Sequence, residues 1–191
     1  PIQLFKTNCI DEGIFNVKDS EKINEKAKKQ VIDDIAWADV QDHPDTSTAL
    51  NHIYSEENTG KETKLVPVSE NIVMVDAINH ALHEEMQKNE KMVIYGQDIA
   101  DPKGGVFTAT KGLSDSFGKE RVFNSPLAES SIVGTAVGMA ITGYKPVVEI
   151  QFGDYIWTAM MQIRNEVSVM RYRSNNAWSC PMVIRVPVGG Y

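Results

Sequence analysis

The segment formed by residues 121–143 changes from a strand pattern to a helix pattern within a few positions. Residues 122 and 123 predict the end of a strand, residues 124–126 a turn, and residues 130–142 a helix. Glu129 is the single carboxylate in this otherwise apolar run, and it stands at the junction. Because ligands of α/β sheets bind beyond the ends of the strands, a functional group is expected at the position of Glu129.

The residues alone leave two interpretations of Glu129 open. In the first, apolar neighbours desolvate the carboxyl group, raise its pKa and let it share a proton with a bound base. In the second, the acid only complements the positive end of the helix dipole, as acids in a first helical turn do. The apolar neighbours of Glu129 in the sequence are Leu127, Ala128, Ile132 and Val133.

The rest of the C-terminal part alternates strand and helix patterns. Apolar residues at every fourth position predict helices, and short apolar runs predict strands. The succession indicates an α/β fold with a doubly wound, mainly parallel sheet. The further predicted elements are a helix at 76–89, a strand at 92–95, an interior strand at 145–152, a helix capped by Asp154 with an apolar stripe from Ile156 to Met170, and a strand at 181–187.

The N-terminal part has a different organisation. Apolar residues at every fourth position predict an amphipathic packing helix over residues 20–40, with Ser20 as its cap. Residues 55–71 are polar, contain Gly and Pro and lack periodicity, which indicates a linker. We therefore expect a helical segment at 1–54 and the α/β domain at 72–191. The apolar positions of the predicted helix are Ile23, Ala27, Val31 and Ile35.

The composition excludes several classes of protein. The net charge is -7 and no basic stripe is interleaved with aromatic residues, so nucleic-acid binding is not expected. No apolar run approaches the roughly 20 residues that cross a bilayer. Cys9 and Cys180 lie far apart, which predicts a reduced, cytoplasmic protein. His80 and His83 lack a third ligand nearby, so no metal site is predicted in this chain.

A wider glycine pattern follows Glu129. Glu129, four intervening residues, Gly134, three more residues and Gly138 resemble the motif of thiamine diphosphate enzymes of the transketolase-like superfamily, in their pyrimidine-binding domain. The resemblance extends along the chain to the β subunit of 2-oxo acid dehydrogenase E1 components, within that family to the branched-chain (2-oxoisovalerate) type. The stretches that carry it are 96–100, 104–107, 112–113, 121–143, 149–152, 154–156, 162–163, 165–166, 171–174 and 184–185.

Residues 1–54 resemble the C-terminal end of an E1 α subunit. The resemblance therefore implies an internal fragment of an α–β fused chain, whereas most E1 enzymes of this kind have separate α and β chains. It also implies that the diphosphate and Mg²⁺ are held by a domain that precedes residue 1, and that a histidine-containing catalytic segment follows residue 191. On this basis the isolated chain is expected to be inactive.

The resemblance assigns roles to four residues. Glu129, the catalytic residue, binds the far ring nitrogen of the cofactor's aminopyrimidine and promotes its imino form. Tyr155 lies against that ring, although its pattern alone indicates ordinary packing. Gln97 and Asp98 follow a strand end and are implied to bind the cofactor. The family commonly has an acid where Gln97 stands, so the hydrogen bond expected of that acid is in doubt here.

The implied reaction is the oxidative decarboxylation of a branched-chain 2-oxo acid, with acyl transfer to a lipoyl group on an E2 acyltransferase. Two fused chains would make an α2β2-like assembly. The glycine-rich loop at 101–110 either permits a tight turn or, by the resemblance, lies near the cofactor pocket.

Other interpretations stay open. The chain could belong to another transketolase-like or deoxyxylulose phosphate synthase-like enzyme, in which the same glutamate motif serves different substrates. It could also be a nonenzymatic α/β binding or assembly module. A dinucleotide-binding fold is disfavoured, because no Gly-x-Gly-x-x-Gly follows a strand.

Overall fold

The computed structural model describes residues 1–55 and 71–189. The chain divides into two compact units, Pro1–Ala49 and Leu50–Tyr191. The predicted linker at 55–71 lies outside the described residues except for its two end positions, so its limits stay a prediction. Within the described ranges, no helix combines the length and the apolar character that crossing a membrane requires.

The first unit contains two helices, α1 (Ile2–Asp11) and α2 (Val17–Asp39). The prediction that Ser20 caps α2 is wrong, because Asn16 and Asp19 form a capping box one turn earlier. The Asn16 side chain accepts a hydrogen bond from the Asp19 N–H group at 3.0 Å. The Asp19 carboxylate accepts one from the Asn16 N–H group at 3.4 Å. Ser20 instead lies buried inside the helix.

The apolar stripe of α2 is exposed in the part of the chain that the structure describes. Ile23 is 58% exposed, and Val31 and Ile35 are each 56% exposed. The periodicity therefore predicted the helix, but the packing expected of the stripe is not made among the described residues. A 3-10 turn at Thr46–Leu50 follows α2.

The second unit is built on a sheet of four parallel strands in the order β2-β1-β3-β4. The strands are β1 (Met92–Gly96), β2 (Val122–Asn124), β3 (Lys145–Glu149) and β4 (Val183–Arg185). Every residue of β1 is buried, as expected for a strand covered on both faces. β3 ends three residues before its predicted end, because the chain then leaves the ladder for a turn that begins at Gly153.

Helices cover both faces of this sheet. α3 (Met74–Lys88) and α4 (Leu113–Phe117) lie on one face, where Met86 and Ile94 belong to one apolar cluster. α5 (Glu129–Ile141) lies on the opposite face. The predicted α/β fold with a doubly wound parallel sheet is therefore confirmed. The buried residues of the α5 face are Tyr95, Ile132, Ala136 and Val148.

The segment between β3 and β4 is not the single helix that its apolar stripe predicted. Ile156, Ile163 and Val167 do pack toward the core, so the stripe identified the buried side of the segment. The hydrogen-bond pattern, however, changes three times along four short pieces. The segment consists of a 3-10 turn at Gly153–Ala159, α6 (Met160–Gln162), a π-turn at Ile163–Val167 and α7 (Met170–Arg173).

Side-chain hydrogen bonds explain the irregular start of this segment. Asp154 makes no capping hydrogen bond, which corrects the prediction that it caps a helix. The Thr158 hydroxyl group instead lies within hydrogen-bond distance of the Tyr155 carbonyl oxygen, 2.8 Å away. Such a local bond competes with the regular helical ladder and favours a turn.

Candidate functional site

The strand order produces a crevice at the carboxyl ends of β1 and β3. β1 connects to β2 on one side of the sheet, and the chain then crosses over to β3 on the other side of β1. At such a switch point the loops after two neighbouring strands run in opposite directions and leave a crevice between them. Ligands of open α/β sheets bind in this crevice. The loop after β1 contains Gln97 and Asp98, and the segment after β3 leads to Tyr155.

Glu129 is the first residue of α5 and is half-buried. Each of its carboxylate oxygens accepts one hydrogen bond from a neutral side chain. The Gln97 Nε2 group donates to Oε1 at 3.1 Å, and the Thr158 hydroxyl group donates to Oε2 at 3.0 Å. Gln97 follows β1, Thr158 lies in the 3-10 turn after β3, and Glu129 begins α5. The end of a strand, a turn and a helix therefore meet at one carboxylate.

The Tyr95 hydroxyl group fixes α5 against the sheet. It donates to the Ile132 carbonyl oxygen at 2.8 Å, one turn after Glu129. Burial raises the pKa of Tyr95 to about 12, so the hydroxyl group remains a donor at neutral pH. This bond positions the first turn of α5 above β1.

The pKa of Glu129 is lowered, not raised as predicted. The largest cause is a hydrogen bond from its own backbone N–H group; desolvation acts in the opposite direction, and Thr158 and Gln97 lower the pKa further. The predicted apolar cover is also incomplete, since Leu127 is 82% exposed. Hydrogen bonds to the charged form therefore outweigh desolvation, and the carboxylate is ionised at neutral pH.

Gln97 does make a hydrogen bond at the site, to Glu129, although the resembling family commonly has an acid at this position. Its side chain is only 5% exposed. An amide suits the ionised Glu129 as a donor, whereas two carboxylates at this distance would repel each other. The other amide atom, Oε1, is buried and has no hydrogen-bond partner among the described residues.

Tyr155 and Asp98 occupy different places around this carboxylate. Tyr155 is 46% exposed and packs edge-on against Phe152 with ring centroids 5.8 Å apart. Its carbonyl oxygen is the second acceptor within reach of the Thr158 hydroxyl group. Asp98 is exposed, and its carboxylate accepts a long hydrogen bond from Gln151 at 3.4 Å. The structure therefore joins Gln97 and Thr158 to Glu129 by hydrogen bonds. Tyr155 lies three residues before Thr158 in the same turn, and Asp98 is bonded to neither oxygen of Glu129.

Sequence reasoning did not identify the role of a buried ion pair at the ends of β3 and β4. The Glu149 carboxylate, 2% exposed, pairs with the Arg185 guanidinium group. Glu149 Oε1 also accepts from the Val106 N–H group at 2.9 Å, and Arg185 donates to the Val106 carbonyl oxygen at 3.4 Å. The signal was present in the sequence, because each charge interrupts an apolar strand.

This ion pair supports the glycine-rich loop after β1. Gly105 has a φ of 72°, and a side chain there would lie 2.7 Å from the Thr110 hydroxyl oxygen, so the glycine is required by a tight turn. The same loop also borders a cleft of about 330 Å³ through Phe107. The other residues that line the cleft are Phe152, Gly153, Asp154, Pro187, Val188 and Gly189.

The two histidines of α3, His80 and His83, do not lie together in a set of metal ligands. His83 packs against Phe117 with ring centroids 5.0 Å apart, and His80 is exposed. In residues 1–55 and 71–189, no three side chains of His, Cys, Asp or Glu are arranged to hold a metal ion.

Comparison with known proteins matches this unit to one family. Residues 70–191 match the family described as transketolase, pyrimidine binding domain. The chain is 51% identical over 116 residues to the 2-oxoisovalerate dehydrogenase subunit beta of Bacillus subtilis (strain 168). It is 43% identical over 119 residues to the pyruvate dehydrogenase E1 component subunit beta of the same organism, and 46% identical over 119 residues to that of Acholeplasma laidlawii.

These matches cover 61% or 62% of this chain but only 35% or 36% of each relative. The chain thus spans about a third of the length of the curated relatives it matches. The parallel sheet and the carboxylate at the start of α5 agree with the matched family. The chain belongs to the transketolase pyrimidine-binding domain family, in the form found in 2-oxo acid dehydrogenase E1 β subunits.

Proposed function

We propose that this chain supplies the pyrimidine-binding side of a thiamine diphosphate-dependent 2-oxo acid dehydrogenase E1 component. The observation that carries the proposal is the position of Glu129, an ionised carboxylate at the switch point of the sheet with a neutral donor on each oxygen. The names of the E1 β relatives support the same class of reaction.

The residues at the crevice fit an aminopyrimidine ring. Glu129 can bind a protonated ring nitrogen, and the exposed Tyr155 side chain offers an aromatic face. The orphaned Oε1 of Gln97 can accept from an amino group. Asp98, on the same loop, stays a predicted cofactor neighbour. When bound, thiamine diphosphate supplies the nucleophilic carbon that attacks the ketone carbon and accepts the electrons released as carbon dioxide leaves.

Glu129 acts in this proposal by holding a proton at the ring nitrogen. Because its pKa is lowered in the free chain, the carboxylate is negative at neutral pH and favours a positive charge on the nitrogen it binds. Gln97 keeps Oε1 in place, so the carboxylate cannot turn away from the crevice without breaking a partly buried hydrogen bond.

The finer features of the function are also proposals. The higher identity to the 2-oxoisovalerate enzyme than to the two pyruvate enzymes supports a branched-chain substrate. We propose acyl transfer to a lipoyl-bearing E2, an α2β2-like assembly of two α–β fused chains, Mg²⁺ held by a diphosphate domain outside this chain, and a cytoplasmic location. Because the chain covers about a third of its relatives, the isolated chain is expected to be inactive.

The test uses the intact protein that contains this chain. Decarboxylation of 3-methyl-2-oxobutanoate and of pyruvate is measured with and without thiamine diphosphate and Mg²⁺, and with lipoyl-E2 as acceptor. We expect cofactor-dependent turnover that favours the branched acid. Glu129→Gln should lower kcat by about 100-fold or more, because a positioned proton-transfer group contributes that much.

Glu85→Gln, on the exposed surface of α3, is the matched control and should leave turnover unchanged. Cofactor-dependent turnover without lipoyl acceptance would indicate another transketolase-like enzyme. Turnover that ignores both the cofactor and Glu129→Gln would return Glu129 to a helix-dipole role and favour a nonenzymatic module.

A further inference from the structure

We propose that Thr158 is a positioning residue for Glu129, whose hydroxyl group holds Oε2 in the free protein and turns to the Tyr155 carbonyl oxygen when a ligand nitrogen takes Oε2. The inference rests on the proposed function, since the ligand nitrogen is that of the cofactor's aminopyrimidine. It concerns a residue outside the glutamate and glycine motif.

The hydroxyl group of Thr158 has two acceptors within reach. Oγ1 lies 3.0 Å from Glu129 Oε2 and 2.8 Å from the Tyr155 carbonyl oxygen. A hydroxyl group carries one hydrogen, so it can make only one well-aligned bond at a time. Rotation of that hydrogen changes the acceptor without moving any other atom. Glu129 Oε2 can therefore be released without leaving an unsatisfied donor.

The two donors to Glu129 differ in exposure. Gln97, which holds Oε1, is 5% exposed, whereas Thr158 is exposed. Tyr155, which offers an aromatic face, lies three residues before Thr158 in the same turn and is 46% exposed. Thr158, and not Gln97, is therefore the donor that a ligand from the solvent side can displace from the carboxylate.

The position of Thr158 does not depend on its bond to Glu129. The Ser130 hydroxyl group donates to the Thr158 carbonyl oxygen, and Ser130 follows Glu129 in the first turn of α5. The backbone of the 3-10 turn is thus attached to α5 by a second contact. When the hydroxyl group changes acceptor, the turn stays where it is.

The groups whose hydrogen bonds act on Glu129 are neutral. They are its own backbone N–H group, Thr158 and Gln97. Asp98, the acid that follows Gln97, is bonded to Gln151 instead. The loss of the Thr158 bond therefore changes the affinity of Glu129 for a proton in the free protein without rearranging neighbouring charges.

The experiment measures the affinity of the intact protein for thiamine diphosphate and Mg²⁺ by calorimetry as a function of pH. The variants are Thr158→Val, which keeps the shape and removes the hydroxyl group, and Thr158→Ser, which restores it. Thr135→Val, on the exposed face of α5, is the matched control because its hydroxyl group donates to the Ser131 carbonyl oxygen of its own helix. Crystals with and without the cofactor give the distances from Thr158 Oγ1 to its two acceptors.

Binding that places a proton between Glu129 and the ring nitrogen weakens as the pH rises. Thr158→Val makes Glu129 easier to protonate in the free protein, so we expect its affinity to be roughly three- to tenfold tighter than wild type at every pH above the ordinary glutamate pKa, neutral pH included. The difference should shrink as the pH falls below the ordinary glutamate pKa. Thr158→Ser and Thr135→Val should follow the wild-type profile. The loaded crystal should show Thr158 bonded to the Tyr155 carbonyl oxygen alone.

Two failures can be told apart. If the wild-type protein binds the cofactor but Thr158→Val binds it equally or more weakly at every pH, or if Thr158 still bonds to Glu129 in the loaded crystal, the inference is overturned and the proposed function stands. If the wild-type protein does not bind the cofactor, the proposed function is overturned and the inference with it.

Discussion

At the scale of single residues, the chemistry of the crevice depends on which donors surround Glu129. Gln97 and Thr158 are neutral and come from separate elements, so each carboxylate oxygen is held without a neutralising cation. The carboxylate keeps its charge and its orientation. An amide at position 97 also avoids placing a second negative charge beside it.

Gln97→Glu tests this arrangement. A second carboxylate beside Glu129 raises the pKa of one of the pair above its unfolded value, so the variant should lose stability as the pH rises through that pKa. Wild-type Glu129, whose pKa is lowered, contributes stability above the ordinary glutamate pKa and loses it as the pH falls. Thermal unfolding of the intact protein, from about pH 4 to pH 8, should show a widening difference in Tm.

Gln87→Glu, on the exposed surface of α3, is the control for the added charge. Its Tm should stay within a few degrees of wild type at every pH in that range, as expected for a surface substitution. A Gln97→Glu difference that is constant with pH would show that the two side chains do not share a proton.

At the scale of secondary-structure elements, the crevice depends on how the loop after β1 is held against the ends of β3 and β4. Glu149 and Arg185 form a buried ion pair, and both bind the backbone of Val106. Burial lowers the pKa of Arg185, but the guanidinium group stays charged beside Glu149. The pair thus couples two strands to the loop that carries Phe107.

Glu149→Gln should destabilise the fold by about 3–5 kcal/mol, because it leaves the Arg185 charge buried without a partner. The amide still offers an oxygen to the Val106 N–H group. The double variant Glu149→Gln/Arg185→Met removes the charge and should recover most of the lost stability. The free energy of unfolding in urea measures both effects.

Arg173→Met provides the comparison with an exposed pair. Arg173 lies 3.9 Å from Glu166, and both side chains are at least half exposed, so its loss should cost about 1 kcal/mol or less. Equal destabilisation by Glu149→Gln and by the double variant would mean that the unpaired charge is not the cause.

At the scale of the whole molecule, the two units differ in how much apolar surface they bury. The second unit has apolar clusters on both faces of its sheet, whereas in the described part of the first unit only Cys9 and Ser20 are buried. Charge is divided unevenly as well, since residues 1–49 carry 10 acids and 6 lysines whereas residues 50–191 carry 16 acids and 13 basic residues. The buried core of the second unit supports cooperative folding. The first unit buries too little apolar surface to fold cooperatively by itself.

Residues 50–191 should therefore unfold cooperatively when they are expressed alone, and residues 1–49 should show no cooperative transition. Calorimetry of the two fragments measures this. A fragment of residues 90–191, which lacks α3, is the control, because the loss of Met86 uncovers one face of the sheet. Cooperative unfolding of that shorter fragment would contradict the role given to α3.

Local patterns were enough to predict the α/β fold, the strand–turn–helix segment and the place of Glu129. Spacing along the chain reports which side of an element is apolar, and so Ile78, Leu82 and Met86 predicted α3. The same spacing could not reveal the hydrogen-bond pattern of the segment after Gly153. It could not reveal the cap of α2 either, because Ser20 and Asn16 are both acceptable caps.

The electrostatics of the crevice came only from contacts between residues that are distant along the chain. Gln97 lies 32 residues before Glu129 and Thr158 lies 29 residues after it, yet both bind its carboxylate. Apolar neighbours in sequence suggested a raised pKa, whereas these donors and the helix backbone lower it. The pairing of Glu149 with Arg185 is of the same kind. Periodicity depends on residues that are close along the chain. A pKa depends on every group that folding brings within hydrogen-bond distance in space.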